Sequence, residues 1–230
     1  MMIYLNEFFF GVFPYIAGTV FLLGSLVRYD KSQYTWRTGS SQLLSNTPSF
    51  RIANYLFHIG IILLFFGHFF GLLTPPAVYH ALGLSTSAKQ IMAVVAGGFF
   101  GLVCLAGIVI LVHRRTTDPR VRRTGSKMDM FILYLLFAQL LTGLFTITVS
   151  SQHLDGAVML QITAWAQSLV TFQPDAADTI LELHWAYKTH MFLGMIMFLI
   201  FPFTRLVHIW SVPYGYIGRA YQIVRRRASS

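Results

Sequence analysis

Four of the eight histidines stand where water is scarce. His58 and His68 lie ten residues apart in FHIGIILLFFGHF (57–69), and His190 and His208 lie eighteen apart in HMFLGMIMFLIFPFTRLVH (190–208). An ionisable side chain inside an apolar segment is costly, so it points by default to function. One such histidine could simply hydrogen-bond to a neighbouring carbonyl; two pairs on two segments fit ligation better. Zinc or copper would want ligands converging on one point, commonly at i, i+3 or i, i+4. Spacings of ten and eighteen instead separate the residues by about 15 Å and 27 Å along straight helices. The four ligands therefore serve two centres, one near each end of the helices. Haem suits them: a histidine from each of two facing helices fills both axial positions of one iron, and two such pairs stack two haems.

Antiparallel helices fix the pairing as His68 with His190 and His58 with His208. The axial spacings differ by about 12 Å, which tilt, a kink at Pro202 and the reach of the imidazoles must absorb. Eighteen residues make five full turns, placing His190 and His208 on one face, whereas ten leave His58 and His68 about 80° apart. Bis-histidine ligation leaves no open iron position, so such haems transfer electrons rather than bind substrate. Arg205, one turn before His208, and Arg51, two turns before His58, are candidates for the haem propionates; anchoring at the membrane boundary explains them equally well.

The remaining histidines read differently. His80, His113 and His153 fall in loops or at a helix end and are solvated or interfacial. His184, near Glu182, suits a polar role at a helix start.

The elements that must position these residues are membrane spans. Of 230 residues, 55% are hydrophobic and 11% charged, against about a quarter charged in soluble domains. Five apolar runs, about 7–27, 52–73, 89–112, 128–149 and 185–209, approach or exceed the roughly 20 residues that cross a bilayer. The expected fold is an all-α integral membrane protein, a bundle of five transmembrane helices in one membrane domain. The first run has no basic n-region or small-residue cleavage site and reads as a retained helix.

The net charge of +9 and pI of 9.9 do not imply nucleic acid, because the basic residues fall between the spans. Fifteen of the seventeen Lys and Arg, including Arg37, Arg219, Arg225, Arg226 and Arg227, lie on one side if the N-terminus is outside. Only Lys89 and Lys188 are left opposite, so the positive-inside rule puts the N-terminus outside and the C-terminal tail, 210–230, in the cytoplasm. The outer loop 150–184 is too long for a turn; its GAVMLQITAWAQSLVTF has near-helical apolar spacing and reads as an interfacial or re-entrant helix with Trp165 as a surface anchor. Cys104, the single cysteine, reads as an inert buried thiol. Gly67 and Gly71 form a GxxxG pair that suggests close helix packing or room for a flat ligand.

Haems at both faces need a donor, and the apolar donor most available in a bilayer is a quinol. Lys89 opens the third span on the side nearly devoid of basic residues; it is either a quinol partner or a snorkelling lysine. No nucleotide or flavin fingerprint and no CxxC cluster is present, so further redox groups must come from partners. The basic cytoplasmic loops suit a soluble electron-accepting subunit or anionic lipid.

Over essentially its whole length the chain resembles the gamma subunit, a dihaem cytochrome b, of membrane-bound respiratory nitrate reductase. The resemblance rests on FFFGVFPYIAG, RYDKSQYTWR, NYLFHIGIILLFFGHFFGLLTP, SQHLDG, WAQSLVTF and FPFTRLVHIWSVP. It implies five transmembrane helices with a periplasmic N-terminus in the bacterial cytoplasmic (inner) membrane. It also implies two b haems, with His68 and His190 on the outer, distal haem and His58 and His208 on the inner, proximal one. Quinol, menaquinol or ubiquinol, would be oxidised near the distal haem, with the family's lysine falling on Lys89 and Gly67 beside His68 in the pocket. Electrons would pass to an iron–sulfur beta subunit and then to a molybdenum-containing alpha subunit that reduces nitrate to nitrite. The alternatives are a dihaem quinone-linked subunit of another cytoplasmic reductase, such as a heterodisulfide-reductase-like complex, and a haem-free transporter or anchor.

Overall fold

The computed structural model describes residues 2–36 and 47–211. Arg37, Arg219, Arg225, Arg226 and Arg227, and the expected tail from residue 212 onward, lie outside the described residues. Among the described residues there is no strand, and five helical spans of 19 to 32 residues are long and apolar enough to cross a membrane. Large apolar side chains such as Leu22, Leu26, Phe66, Phe70, Val95 and Phe99 are exposed on their outer faces. That is the surface a lipid-facing bundle presents and a soluble one avoids.

The first span runs through α1 (Met2–Glu7), a π-helical turn (Phe8–Val12) and α2 (Phe13–Lys31). Pro14 has no N–H to offer Phe10 O four residues earlier, and Trp165 Nε1 donates to that carbonyl at 2.9 Å. The second span is α3 (Pro48–Leu73), begun by Thr47, whose hydroxyl accepts from Phe50 N, and ended before Pro75. A short α4 (Pro76–Ala81) leads to the third span, α5 (Thr86–Thr117), capped by Ser85 and ended before Pro119. After α6 (Pro119–Thr124), the capping box of Ser126 and Asp129 starts the fourth span, α7 (Lys127–Ser150). The loop between the last two spans holds α8 (Ala157–Val170).

The fifth span is shorter as a helix than the expected 185–209. The α-helix proper, α9 (Trp185–Ile200), is begun by His184, whose Nδ1 accepts from Ala186 N. A 3-10 turn (Phe201–Phe203), an extended Thr204 and a second 3-10 turn (Arg205–Trp210) follow. Pro202 cannot donate to the carbonyl four residues back, so the α ladder stops there.

Around the bundle α3 packs on α5, α5 on α7, α7 on α9, and α9 on α2, so α3 and α9 are joined through α5 and α7 rather than by close packing. The α3–α5 contact is the tightest. A Cβ added at Gly60 would lie 2.8 Å from Cys104 N, and one at Gly107 would lie 2.7 Å from Ala53 O. Cys104 is buried in this seam, with its sulfur 3.8 Å from Phe57 O. The GxxxG reading of Gly67 and Gly71 as a packing seam is corrected: a Cβ at either would meet no atom within 4 Å.

At the end holding His68, α8 lies across the bundle. Gln167 Nε2 donates to Leu72 O, Tyr15 OH to Leu169 O, and Asn6 Nδ2 to Ala177 O. Trp165 is 8% exposed and bonded into the first span, so it is a core pin and not a surface anchor.

Candidate functional site

The α3 and α9 histidines meet at one end of the bundle. The rings of His68 and His190 have centroids 6.0 Å apart at 42° to one another. Two imidazole nitrogens each about 2 Å from a shared metal would place their centroids about 6 Å apart. Toward the other end stand His58 on α3 and His208 on the 3-10 turn that follows α9. His58 and His68 are exposed on α3, whereas His190 and His208 are half-buried.

The hydrogen bonds fix the tautomers. A carbonyl can only accept, so Nδ1 must be the donor in three cases: His58 to Asn54 O at 2.8 Å, His68 to Leu64 O at 2.7 Å, and His208 to Arg205 O at 2.6 Å. Each bond is the carbonyl contact that would satisfy a lone histidine, and each also leaves the Nε2 lone pair available for a metal.

His190 reaches the same state differently. Its Nδ1 is 3.2 Å from Thr142 Oγ1, which itself donates to Gln139 O, so the hydroxyl oxygen accepts the ring proton. Gln139 Nε2 donates to His190 O at 3.1 Å and, at 3.4 Å, to the ring Nε2, a long bond that a metal on Nε2 would replace. Gly143 makes room: a Cβ there would sit 2.9 Å from His190 Cε1. Sequence reasoning missed Gln139, Thr142 and Gly143, although a glutamine amid FILYLLFAQLLTGLF is a visible signal.

The donor set suits a macrocycle. Among the described residues no three His, Cys, Asp or Glu side chains group around a metal position. Each pair supplies two donors, and a porphyrin brings its own four; the residues present therefore fit haem.

The proposed propionate partners differ from each other. Arg205 lies 3.7 Å from Asp129 Oδ1 across to the start of α7. Arg51 is exposed in the first turn of α3.

Lys89 does not snorkel. It is 6% exposed, and its Nζ lies 4.2 Å from the centre of the Tyr79 ring. Neither Lys89 Nζ nor the buried Tyr79 OH has a hydrogen-bond partner among the described residues. Buried polar atoms left without a partner are expensive. The lysine also sits in the first turns of α5, where the helix dipole disfavours a cation. Nothing in the sequence singled out Tyr79. Gly67, beside His68, is open to its surroundings.

A family model described as nitrate reductase gamma subunit matches residues 6–227. The chain is 51% identical over 226 residues to the respiratory nitrate reductase 1 gamma chain of Escherichia coli, covering 98% of this chain and 100% of that one. It is 35% identical over 225 residues to the nitrate reductase gamma chain of Bacillus subtilis, covering 97% and 99%. A more distant relative is the Hdr-like menaquinol oxidoreductase cytochrome b-like subunit of Archaeoglobus profundus, 26% identical over 116 residues, 49% of this chain and 33% of that protein.

Proposed function

The chain belongs to the nitrate reductase gamma subunit family, and from that premise we propose that it is the dihaem cytochrome b anchor of a quinol:nitrate oxidoreductase in the bacterial cytoplasmic membrane. The observation that carries the reading is the meeting of His68 on α3 with His190 on α9, rings 6.0 Å apart; His58, ten residues back on α3, and His208, on the 3-10 turn beyond α9, make the second pair of this reading. Bound between these pairs, two b haems supply one-electron transfer from one membrane face to the other.

The chain's own residues then divide the work. Three backbone carbonyls and Thr142 hold the four Nδ1 protons, so that each Nε2 is presented as a ligand. Lys89 and Tyr79 offer hydrogen bonds to a quinol oxygen, and Gly67 leaves room beside His68 for the ring. The layer formed by α8 lies over the His68 end of the bundle, tied to α3 by Gln167 and Leu72 O. Each menaquinol or ubiquinol oxidised yields a quinone, two protons and two electrons.

The charge distribution supports a periplasmic N-terminus and a cytoplasmic C-terminus, so the His68 pair faces outward. Protons then leave outside, while each electron moves inward against about 2.3 kcal/mol per 100 mV of inside-negative potential. At the inner face an iron–sulfur beta subunit takes the electrons and passes them to a molybdenum-containing alpha subunit that reduces nitrate.

The Archaeoglobus profundus relative, named as a menaquinol oxidoreductase cytochrome b-like subunit, favours one second reading, a quinone-linked subunit of a heterodisulfide-reductase-like complex. Purification of the intact complex with identification of its subunits separates the two. A reduced-minus-oxidised spectrum tests the shared haem reading against a haem-free transporter or anchor.

A further inference from the structure

The eighteen residues from His190 to His208 do not lie on one helix. α9 stops at Ile200, and after the 3-10 turn at Phe201–Phe203, Thr204 is extended at φ −114° and ψ 176°. His208 sits on the next 3-10 turn.

A break in an apolar setting exposes carbonyls that the helix would have satisfied, and such groups must find other donors. Arg28, at the end of α2, supplies them. Its Nη1 donates to Pro202 O at 2.6 Å, within the turn, and to Thr204 O at 2.7 Å, just after it. Its other nitrogens bond Thr35: Nε to Oγ1 at 3.2 Å and Nη2 to O at 2.9 Å. Two neighbouring contacts tie the same segment to the first span and to the loop that follows it. Trp210 Nε1 donates to Ser25 Oγ at 3.4 Å, and Trp36 Nε1 donates to Ser211 Oγ at 2.5 Å. Gly24 lies against Pro202, where an added Cβ would sit 2.9 Å from the ring.

We propose that Arg28 is a positioning residue for His208: by tying the Pro202 and Thr204 carbonyls to the loop at Thr35, it sets where the inner haem's second axial ligand stands. The proposal rests on the haem reading above. Arg28 belongs to the basic set that marks one side of the membrane, and as a topology anchor any cation would serve. The geometry asks for more. A guanidinium holds donors in a fixed fork that can serve Pro202, Thr204 and Thr35 at once, which the single ammonium of a lysine does not reproduce.

The test uses the assembled complex, with optical redox titration and low-temperature EPR of the wild type, Arg28→Gln, Arg28→Lys and Lys31→Gln. Lys31 ends the same helix but is exposed and paired with Asp30. The inner-haem signal is the one lost in His58→Ala. Both Arg28 variants should shift the midpoint potential and low-field g value of that signal, leaving the outer haem and the Lys31 variant at wild-type values. Unchanged inner-haem parameters, equal shifts of both haems, or wild-type values in Arg28→Lys would each overturn the proposal. If the Arg28 variants do not accumulate, the Ser25→Ala, Trp36→Phe double variant decides: the same inner-haem signal must shift, and an unshifted one refutes the role. A wild-type complex without b haem would instead refute the haem reading, whereas haem present with an unmoved inner signal refutes only the role of Arg28.

Discussion

The Nδ1 of His190 faces Thr142 Oγ1 at 3.2 Å, while the Nδ1 of His68 donates to Leu64 O at 2.7 Å. The two rings of one pair are thus held in the same tautomer by different means, one from its own helix and one from its neighbour. A side-chain hydroxyl can be removed without touching the backbone, which makes α7 the accessible handle on this centre.

Thr142→Val should therefore act on the outer haem alone. Loss of the acceptor lowers the basicity of the imidazole, and a less basic ligand stabilises the oxidised iron less well. With a hydrogen bond worth about 1 kcal/mol net, the outer potential should rise by tens of millivolts, on the order set by about 59 mV per tenfold change for one electron. Redox titration of the two b-haem signals checks both the direction and the selectivity.

Ligand removal should sort the centres. His68→Ala or His190→Ala should abolish the outer-haem signal first, and His58→Ala or His208→Ala the inner one. Haem content and EPR of each variant decide the pairing; losses grouped as His58 with His190 would contradict it.

At the Lys89–Tyr79 pair, Lys89→Ala should lower the rate of quinol oxidation and weaken binding of quinol-site inhibitors by at least tenfold, while both haems remain reducible by dithionite. Tyr79→Phe removes one hydroxyl but keeps the ring under the ammonium, so its effect should be smaller. A bond of about 1 to 1.5 kcal/mol corresponds to roughly fivefold to tenfold. Steady-state quinol oxidation with inhibitor titration measures both.

The glycines divide by what surrounds them. Gly60→Ala places a methyl against Cys104 backbone and side chain and should cost about 1–3 kcal/mol through overpacking. Gly71→Ala meets nothing and should be neutral or slightly stabilising, since alanine is the better helix former by about 1 kcal/mol. Gly67→Ala should be as harmless to stability as Gly71→Ala but impair quinol oxidation. Thermal unfolding in detergent, with activity measured alongside, separates packing from ligand room.

Much of the architecture could be read from hydropathy alone, because long apolar runs have few alternatives to a spanning helix. The family was legible as well: motifs such as NYLFHIGIILLFFGHFFGLLTP carried it, and the matches to gamma chains bear it out. What the sequence concealed were relations across the bundle. Pro202 announced an interruption in the fifth span but not the extended Thr204 behind it, nor that Arg28, 174 residues away in sequence, would satisfy the exposed Pro202 carbonyl. Gly67 and Gly71 carried the packing motif, yet Gly60 and Gly107 do the packing, since a glycine's spacing does not say which face its helix turns to a neighbour. Trp165 looked like an interfacial residue because the carbonyl that Pro14 leaves at Phe10 becomes visible only once α8 is placed.

The central claim, that paired histidines from α3 and the α9 segment hold two haems, is tested most directly by haem quantitation and the reduced-minus-oxidised spectrum of the purified complex. The account predicts two b-type haems per chain, each separately lost on removing its own histidine pair. One haem per chain, or none, would contradict it.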